Sequence, residues 1–175
     1  MTMLAIGAAA LLAAAALAAD DALPEIDGIA LEEITVTSSL DGTEQPAIIG
    51  VPDGYDPATP TPLLVGLHTW SGAYRQQANA YGRQAAARGW LLVLPHFRGP
   101  NKAANPNGQQ AGGSLFAQHD IVDARAHMVE QFNVDEARVY LTGDSGGGHM
   151  TMLMAGKWPD LWGRRGGVGA GDGPA

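Results

Sequence analysis

The sequence contains no cysteine among its 175 residues. This absence excludes a disulfide framework, zinc sites built on thiolates and a cysteine nucleophile. Positive charge is also scarce, because 10 Lys and Arg stand against 18 Asp and Glu and the net charge is -8. No basic cluster is present to neutralise phosphates, so no nucleic-acid partner is expected. Hydrophobic residues make up 46 % and charged residues 16 %, which is typical of a globular chain.

The N-terminus carries a long apolar run. Leu4 to Ala18 contains no charged residue and ends in Ala16-Leu17-Ala18, a small-x-small pattern typical of signal-peptide cleavage sites. The run is shorter than the roughly 20 apolar residues that span a bilayer, so no stable membrane span is expected. The first three residues lack the Lys or Arg of most signal peptides, which leaves an Ala-rich helix or an anchor as the alternative. We predict a signal peptide over residues 1–19 and a secreted or periplasmic protein.

The first part of the remaining chain has the pattern of a β-hairpin. Residues 33–37 and 46–51 alternate in strand fashion, and turn-forming residues lie at 39–42 between them. Four prolines follow within residues 52–62, which predicts a connecting loop.

Further along, short apolar runs alternate with helix-compatible segments. The runs predict strands buried on both faces, at residues 63–67, 90–94 and 138–142. The segments between and after them predict helices, at residues 74–88, 114–132 and 146–155. Residues 99–113 are rich in Gly and Asn and predict a long loop. This alternation predicts an α/β domain over residues 20–162 with a mostly parallel sheet.

The segment LTGDSGGGHM, residues 141–150, fits two serine-hydrolase signatures. GDSGG occurs in the serine loop of trypsin-like proteases, and G-x-S-x-G is the nucleophile elbow of α/β-hydrolases. A trypsin-like serine loop feeds a β-strand in an all-β domain, whereas here a predicted strand precedes the motif and a predicted helix follows it. The elbow is therefore favoured, with Ser145 as the nucleophile and Asp144 adjusting the turn.

An elbow also needs two backbone N–H donors that form an oxyanion hole. One is expected from Gly146, the residue after the nucleophile. The other is expected from the loop at residues 66–72, which follows the first central strand. Trp70 is the predicted donor there, and Thr69 is the neighbouring possibility. His68 in the same loop is expected to brace it rather than to transfer protons.

Other polar residues are candidates for metal ligands or catalytic groups. Asp120 and Asp123 lie three apart on one predicted helix and could be metal ligands, but bracing of that helix is favoured, so neither a metal site nor a cofactor is expected. His119 and His127 are expected to be structural or surface residues. His149 lies on the helix that directly follows Ser145, which is the wrong place for the catalytic base.

Several segments together carry a family resemblance: VDEARVYLTGDSGGGHM (134–150), AGKWPD (155–160), GWLLVLPHFRG (89–99) and QHDIVD (118–123). They resemble the catalytic domain of prolyl-oligopeptidase-type α/β-hydrolases, and related patterns occur in secreted feruloyl esterases and polyhydroxybutyrate depolymerases. The resemblance covers about residues 46–162. It implies an α/β-hydrolase fold and a serine hydrolase that cleaves small ester or peptide substrates through an acyl-enzyme on Ser145, without a cofactor.

The rest of the catalytic triad is not evident. In this fold the acid and the histidine follow the serine, but only His149, Asp160 and Asp172 do so here. Residues 163–175 are Gly-rich and show no hydrophobic pattern, so we expect an aberrant tail from a truncated or frameshifted reading. Activity is then expected to be impaired, and a non-catalytic binding protein or a non-functional fragment are the alternatives. Nothing in the sequence predicts an oligomeric state.

Overall fold

The computed structural model describes residues 22–163. The predicted signal peptide and tail residues 164–175 lie outside this range. Within it the chain forms strands β1 (Ile29–Thr37), β2 (Glu44–Pro52), β3 (Thr61–Leu67), β4 (Leu91–Pro95) and β5 (Val134–Gly143). The helices are α1 (Ala78–Ala86), α2 (Leu115–Gln131) and α3 (Gly146–Lys157). Short 3-10 turns lie at Tyr74–Gln77, Gly108–Gln110 and Pro159–Leu161.

The strands form one mixed sheet in the order β1-β2-β4-β3-β5. β2 is antiparallel to both of its neighbours, while β3 is parallel to β4 and to β5. Four of the five strands therefore run in one direction, as predicted. Val65 of β3 pairs with Val93 on one side and with Leu141 on the other. This pairing brings the C-terminal ends of β3 and β5 to the same edge of the sheet.

Helices cover both faces of the sheet and create two apolar cores. On one face α2 and α3 contribute Ile121, Met128, Met150 and Met154, which pack against side chains such as Val65. On the other face the α1 residues Tyr81 and Ala85 pack against Ile48, Leu64 and Leu92. Because alternate residues of a strand point to opposite faces, consecutive apolar residues in β3 and β4 supply both cores. Every residue of these two strands is buried, which confirms that part of the prediction.

Residues 138–142 lie in a strand, as predicted, but the prediction that this strand is buried on both faces was wrong. Val139 is the one fully buried residue of β5, Arg138 is exposed and Tyr140 is 40 % exposed. The reason is its place in the sheet: among residues 22–163, β5 pairs with β3 alone and lies at the end of the strand order. The Tyr140 ring instead stacks on Trp90, with ring centroids 4.7 Å apart.

The other elements follow the predicted pattern with local differences. The hairpin is formed by β1 and β2. The single helix predicted over residues 74–88 begins as the 3-10 turn and becomes α-helical only at Ala78. At the start of α2 the Ser114 hydroxyl accepts a hydrogen bond from the Ala117 N–H at 3.1 Å, which caps the helix. None of the helices in the part of the chain described is long and apolar enough to cross a membrane.

Candidate active site

Ser145 lies on a sharp turn between the end of β5 and the start of α3. Its backbone has φ 51° and ψ -114°, a region that non-glycine residues rarely adopt. The residue is exposed, and its hydroxyl has no hydrogen-bond partner among residues 22–163. A strained serine held at a strand-to-helix turn is the geometry of a nucleophile elbow.

Two glycines allow this turn to close. A Cβ atom on Gly143 would lie 2.5 Å from the carbonyl carbon of Gly147. A Cβ atom on Gly147 would in turn lie 2.4 Å from the carbonyl oxygen of Leu67, at the end of β3. Any side chain at either position would collide with backbone atoms. The two glycines of G-x-S-x-G are therefore required for close packing of the elbow against β3.

The carboxylate of Asp144 fixes the turn from the side of α1. Its Oδ2 accepts hydrogen bonds from the Tyr81 hydroxyl at 3.1 Å and from the Gln77 side-chain amide at 3.0 Å. Burial raises the pKa of Tyr81 to about 12, and the charge of Asp144 acts in the same direction. Asp144 thus ties the turn at Ser145 to the first helix.

The loop at residues 66–72, which we call the oxyanion loop, reaches the elbow through Trp70. A Cβ atom on Gly146 would lie 2.5 Å from the Trp70 nitrogen and 2.4 Å from its Cγ. The Thr69 N–H is already engaged, because it donates to Gln76 Oε1 at 3.1 Å. The Trp70 N–H has no acceptor within residues 22–163. The two predicted donors, on Gly146 and Trp70, are brought next to each other.

His68 braces the oxyanion loop from inside the protein. It is buried, its Nδ1 donates to the Thr69 carbonyl oxygen at 2.8 Å, and its ring stacks on Phe97 with centroids 3.9 Å apart. Its Nε2 is buried and has no hydrogen-bond partner among residues 22–163. Burial lowers the pKa of His68 to about 4, so the ring is neutral at pH 7. This is the bracing role expected from the sequence.

The two aspartates considered as metal ligands have other partners. Asp120 is buried and forms a two-pronged ion pair with Arg98, with distances of 2.6 and 3.0 Å. Asp123 accepts a hydrogen bond from the Ser39 N–H at 2.7 Å. Residues 22–163 contain no group of three or more His, Cys, Asp or Glu that could hold a metal ion.

The side chains of the other histidines named in the sequence analysis make contacts elsewhere and not with the Ser145 hydroxyl. His119 is hydrogen-bonded through Nδ1 to the Ser39 hydroxyl at 3.1 Å. His127 lies on α2 beside β1, in a shallow polar cleft. His149 is exposed on α3, and its ring is nearly parallel to Trp70 with centroids 6.3 Å apart. None of the histidines in the part described is hydrogen-bonded to the Ser145 hydroxyl, and His149 meets this residue only through its backbone N–H, which donates to the Ser145 carbonyl oxygen at 3.0 Å.

Sequence reasoning did not single out Arg98. This residue is buried, has φ 69° and lies next to a cis peptide bond between Gly99 and Pro100. The sequence signal that could have indicated a buried charge is a single arginine placed between a buried strand and a glycine. Its acidic partners could not be identified because they lie far away along the chain.

Comparison with known proteins agrees with this geometry. The chain is 32 % identical over 117 residues to feruloyl esterase C of Emericella nidulans, which covers 62 % of this chain and 40 % of that protein. It is 26 % identical over 107 residues to acetylxylan esterase A of the same organism, covering 57 % of this chain and 34 % of that protein. This chain thus spans well under half the length of these relatives.

Solved structures share the fold at lower sequence identity. A bacterial heroin esterase superposes with a TM-score of 0.60 at 22 % identity, over 87 % of this chain and 48 % of that one. Oligopeptidase B from Trypanosoma brucei superposes with a TM-score of 0.63 at 20 % identity, over 79 % of this chain and 20 % of that one.

A family profile also matches the segment that holds the elbow. The profile of the prolyl oligopeptidase family matches residues 77–165, which is just over half of the chain. The match includes α1, β4, α2, β5 and the elbow with Ser145. The chain therefore belongs to the prolyl oligopeptidase family and has an α/β-hydrolase fold.

Proposed function

We propose that this chain is a serine hydrolase whose nucleophile is Ser145. In acyl transfer the serine Oγ attacks the carbonyl carbon of the substrate, its proton passes to a base, and the carbonyl oxygen becomes an oxyanion. Collapse of this intermediate expels the alcohol or amine and leaves an acyl-enzyme, which water then hydrolyses. The observation that carries the proposal is the strained elbow, with an exposed serine and two glycines packed against the end of β3.

We further propose that the N–H groups of Gly146 and Trp70 form the oxyanion hole. Support comes from the close approach of these two residues and from the Trp70 N–H, which lacks an acceptor in the part described. Preorganised donors of this kind contribute about 3–4 kcal/mol each to transition-state stabilisation. The Thr69 N–H is already bonded to Gln76, so it is the weaker candidate.

Carboxylic esters are the proposed substrate class, ahead of peptides. The relatives found by sequence are named as feruloyl and acetylxylan esterases. The family profile is that of a peptidase family, but the individual peptidases of known structure are only 18–21 % identical to this chain. No cofactor is proposed. A secreted or periplasmic location is proposed on the apolar N-terminal run alone.

Turnover by these 175 residues is proposed to be slow. His149 is the one histidine that follows Ser145 in the sequence, and its ring lies against Trp70 rather than on the serine hydroxyl. Without a base the hydroxyl proton has no acceptor, and serine is a weak nucleophile. A non-catalytic binding protein on the same fold is the second candidate, and the unpartnered Ser145 hydroxyl is the observation that favours it.

A fluorophosphonate probe tests the proposal directly. The wild-type chain should be labelled at the slow rate of a serine without a base, and Ser145→Ala should abolish the labelling. Ser39 is the matched control because its hydroxyl is hydrogen-bonded to His119, so Ser39→Ala should leave the labelling unchanged. A wild-type chain that stays unlabelled, or labelling that is lost with Ser39→Ala instead, would reject Ser145 as the nucleophile.

A further inference from the structure

The segment that follows β4 packs against the oxyanion loop. We infer that residues 97–101, which we call the clamp segment, position the Trp70 N–H, and that Arg98 is the positioning residue that anchors this segment. The structural part of this inference concerns only the order of the loop. Its kinetic part rests on the proposed hydrolase function.

Three contacts join the clamp segment to the oxyanion loop. The Phe97 ring stacks on His68 at an interplanar angle of 11°. The Asn101 N–H donates to the Trp70 carbonyl oxygen at 2.6 Å. Between them Gly99 is so close to the loop that a Cβ atom there would lie 2.7 Å from the Gly72 carbonyl oxygen. The segment therefore contacts the loop at its beginning, middle and end.

The bond from Asn101 bears most directly on the site. The Trp70 carbonyl belongs to the peptide that follows Trp70, and fixing this peptide restricts rotation about the Trp70 backbone. The backbone nitrogen of the same residue lies against Gly146. An oxyanion donor is effective only when it is already oriented before the charge develops. The Asn101 N–H supplies this orientation from behind.

Arg98 holds the clamp segment to the rest of the fold. All three of its side-chain nitrogens donate hydrogen bonds, and its acceptors come from the β1–β2 turn, the 3-10 turn before α2, and α2 itself. These acceptors are Ser38, Asp41, Gln110 and Asp120. Arg98 is 2 % exposed, so the pairing with both carboxylates is needed to keep its charge buried. It also holds the pKa of Asp41 well below its usual range.

The backbone of the segment is fixed as well. The Asn105 side-chain amide donates to the Arg98 carbonyl oxygen at 3.0 Å and to the Pro100 carbonyl oxygen at 2.8 Å. Arg98 itself has a positive φ of 69°, a conformation that persists only where surrounding contacts impose it. A continuous path of contacts thus runs from Asp41 and Asp120 through Arg98 and Asn101 to Trp70.

The first test measures order in the loop and needs no activity. Arg98→Met is compared with Arg125→Met, because Arg125 is also a buried arginine but bonds to Glu136 and to the Leu161 carbonyl oxygen. The probe is amide hydrogen exchange at Gly72, whose N–H donates to the Thr69 carbonyl oxygen. Exchange should accelerate about tenfold or more in Arg98→Met and stay at the wild-type rate in Arg125→Met. Equal acceleration in both variants would overturn the inference.

A second pair of variants covers the case in which Arg98→Met does not fold. Asn101→Pro removes the N–H that donates to Trp70, and Asn101→Ala keeps it. Gly72 exchange should accelerate in the proline variant alone. Wild-type exchange in Asn101→Pro would overturn the role of this bond.

The kinetic test uses the rate of Ser145 phosphonylation. Loss of one oriented donor should slow the reaction about 10²-fold in Asn101→Pro, while Asn101→Ala and Arg125→Met stay within about twofold of wild type. Unchanged labelling in Asn101→Pro together with faster exchange would show that the clamp orders the loop without orienting the donor, which overturns the inference. If the wild-type chain is unlabelled, the proposed function fails, and the exchange measurements still decide the clamp.

Discussion

Gly146 and Trp70 approach each other so closely that no side chain fits between them: a Cβ atom on Gly146 would lie 2.5 Å from the Trp70 nitrogen and 2.5 Å from its Cδ2. The contact joins the first turn of α3 to the loop after β3. Both the elbow and the oxyanion loop therefore depend on one glycine whose backbone lies against an indole ring.

Gly146→Ala should force these two segments apart. Inserting a methyl group into a close-packed contact costs about 1–3 kcal/mol of the free energy of unfolding, which urea denaturation measures. Gly156→Ala is the control in the same helix, because a Cβ atom there meets nothing within 4 Å. That variant should be stabilised by up to about 1 kcal/mol. Equal stability of the two variants would contradict the close contact at Gly146.

Asp120→Asn should be strongly destabilising and Asp123→Asn should not. Asp120 neutralises the buried Arg98, and breaking a buried ion pair costs about 3–5 kcal/mol. Asp123 accepts one exposed hydrogen bond from the Ser39 N–H, worth about 1 kcal/mol. Urea unfolding with and without EDTA measures both effects, and the chelator should change neither. Similar losses in the two variants, or a loss caused by EDTA, would restore the metal-ligand hypothesis.

Stability should fall between pH 6.5 and pH 4 through His68. Burial lowers the pKa of this histidine to about 4 from 6.5, so the unfolded chain takes up the proton first as the pH falls. The free energy of unfolding then falls by about 3 kcal/mol as the pH drops from 6.5 to 4. Above pH 6.5 His68 makes the free energy of unfolding no more pH-dependent, because the ring is neutral in both states. Folded His68 becomes protonated only below about pH 4, where the loss levels off.

His68→Asn isolates this contribution. Asparagine can place an amide N–H where Nδ1 donates to the Thr69 carbonyl oxygen, but it does not titrate. The variant should be less stable at pH 7.5, because the stacking on Phe97 is lost, yet its unfolding free energy should fall less on acidification. Some fall should remain because burial also lowers the pKa of His96. Parallel pH profiles for wild type and variant would contradict the prediction.

Tyr81→Phe should loosen the elbow from α1. The Tyr81 hydroxyl is the buried partner of Asp144, and loss of one such hydrogen bond costs about 1 kcal/mol. Tyr140→Phe is the matched control, since the Tyr140 hydroxyl has no hydrogen-bond partner among residues 22–163. Thermal unfolding should separate the two variants, and a tyrosine titrating at about pH 12 should disappear only in Tyr81→Phe. An unchanged melting temperature in both would argue against an anchoring role.

Local pattern was sufficient to predict most of the elements and the elbow. Strands β3 and β4 are buried on both faces, and runs such as Leu91 to Leu94 have no polar residue that could face water. The elbow was predicted because its glycines and its strand-to-helix context are contiguous in the sequence. The partial burial of β5 was not predictable, because Tyr140 and Leu141 have the composition of a buried strand whatever covers them.

Long-range relationships could not be predicted from local pattern. The insertion of β4 between β2 and β3 is a property of the whole sheet. Arg98 lies 57 residues from Asp41 and 22 from Asp120, and no spacing rule connects these three residues. The position of His68 in the loop is enough to predict a bracing role, but no local pattern predicts that its ring stacks on Phe97.

The guanidinium of Arg98 also bears on the order in which the chain folds. Its charge can leave water only when the β1–β2 turn and α2 have both reached their final places, since each supplies one carboxylate. Contacts between residues so far apart must overcome loop-closure entropy before they contribute any stability. We therefore expect desolvation of Arg98 to belong to a late step of folding. By the clamp inference, the oxyanion loop should become ordered only after the sheet and α2 have assembled.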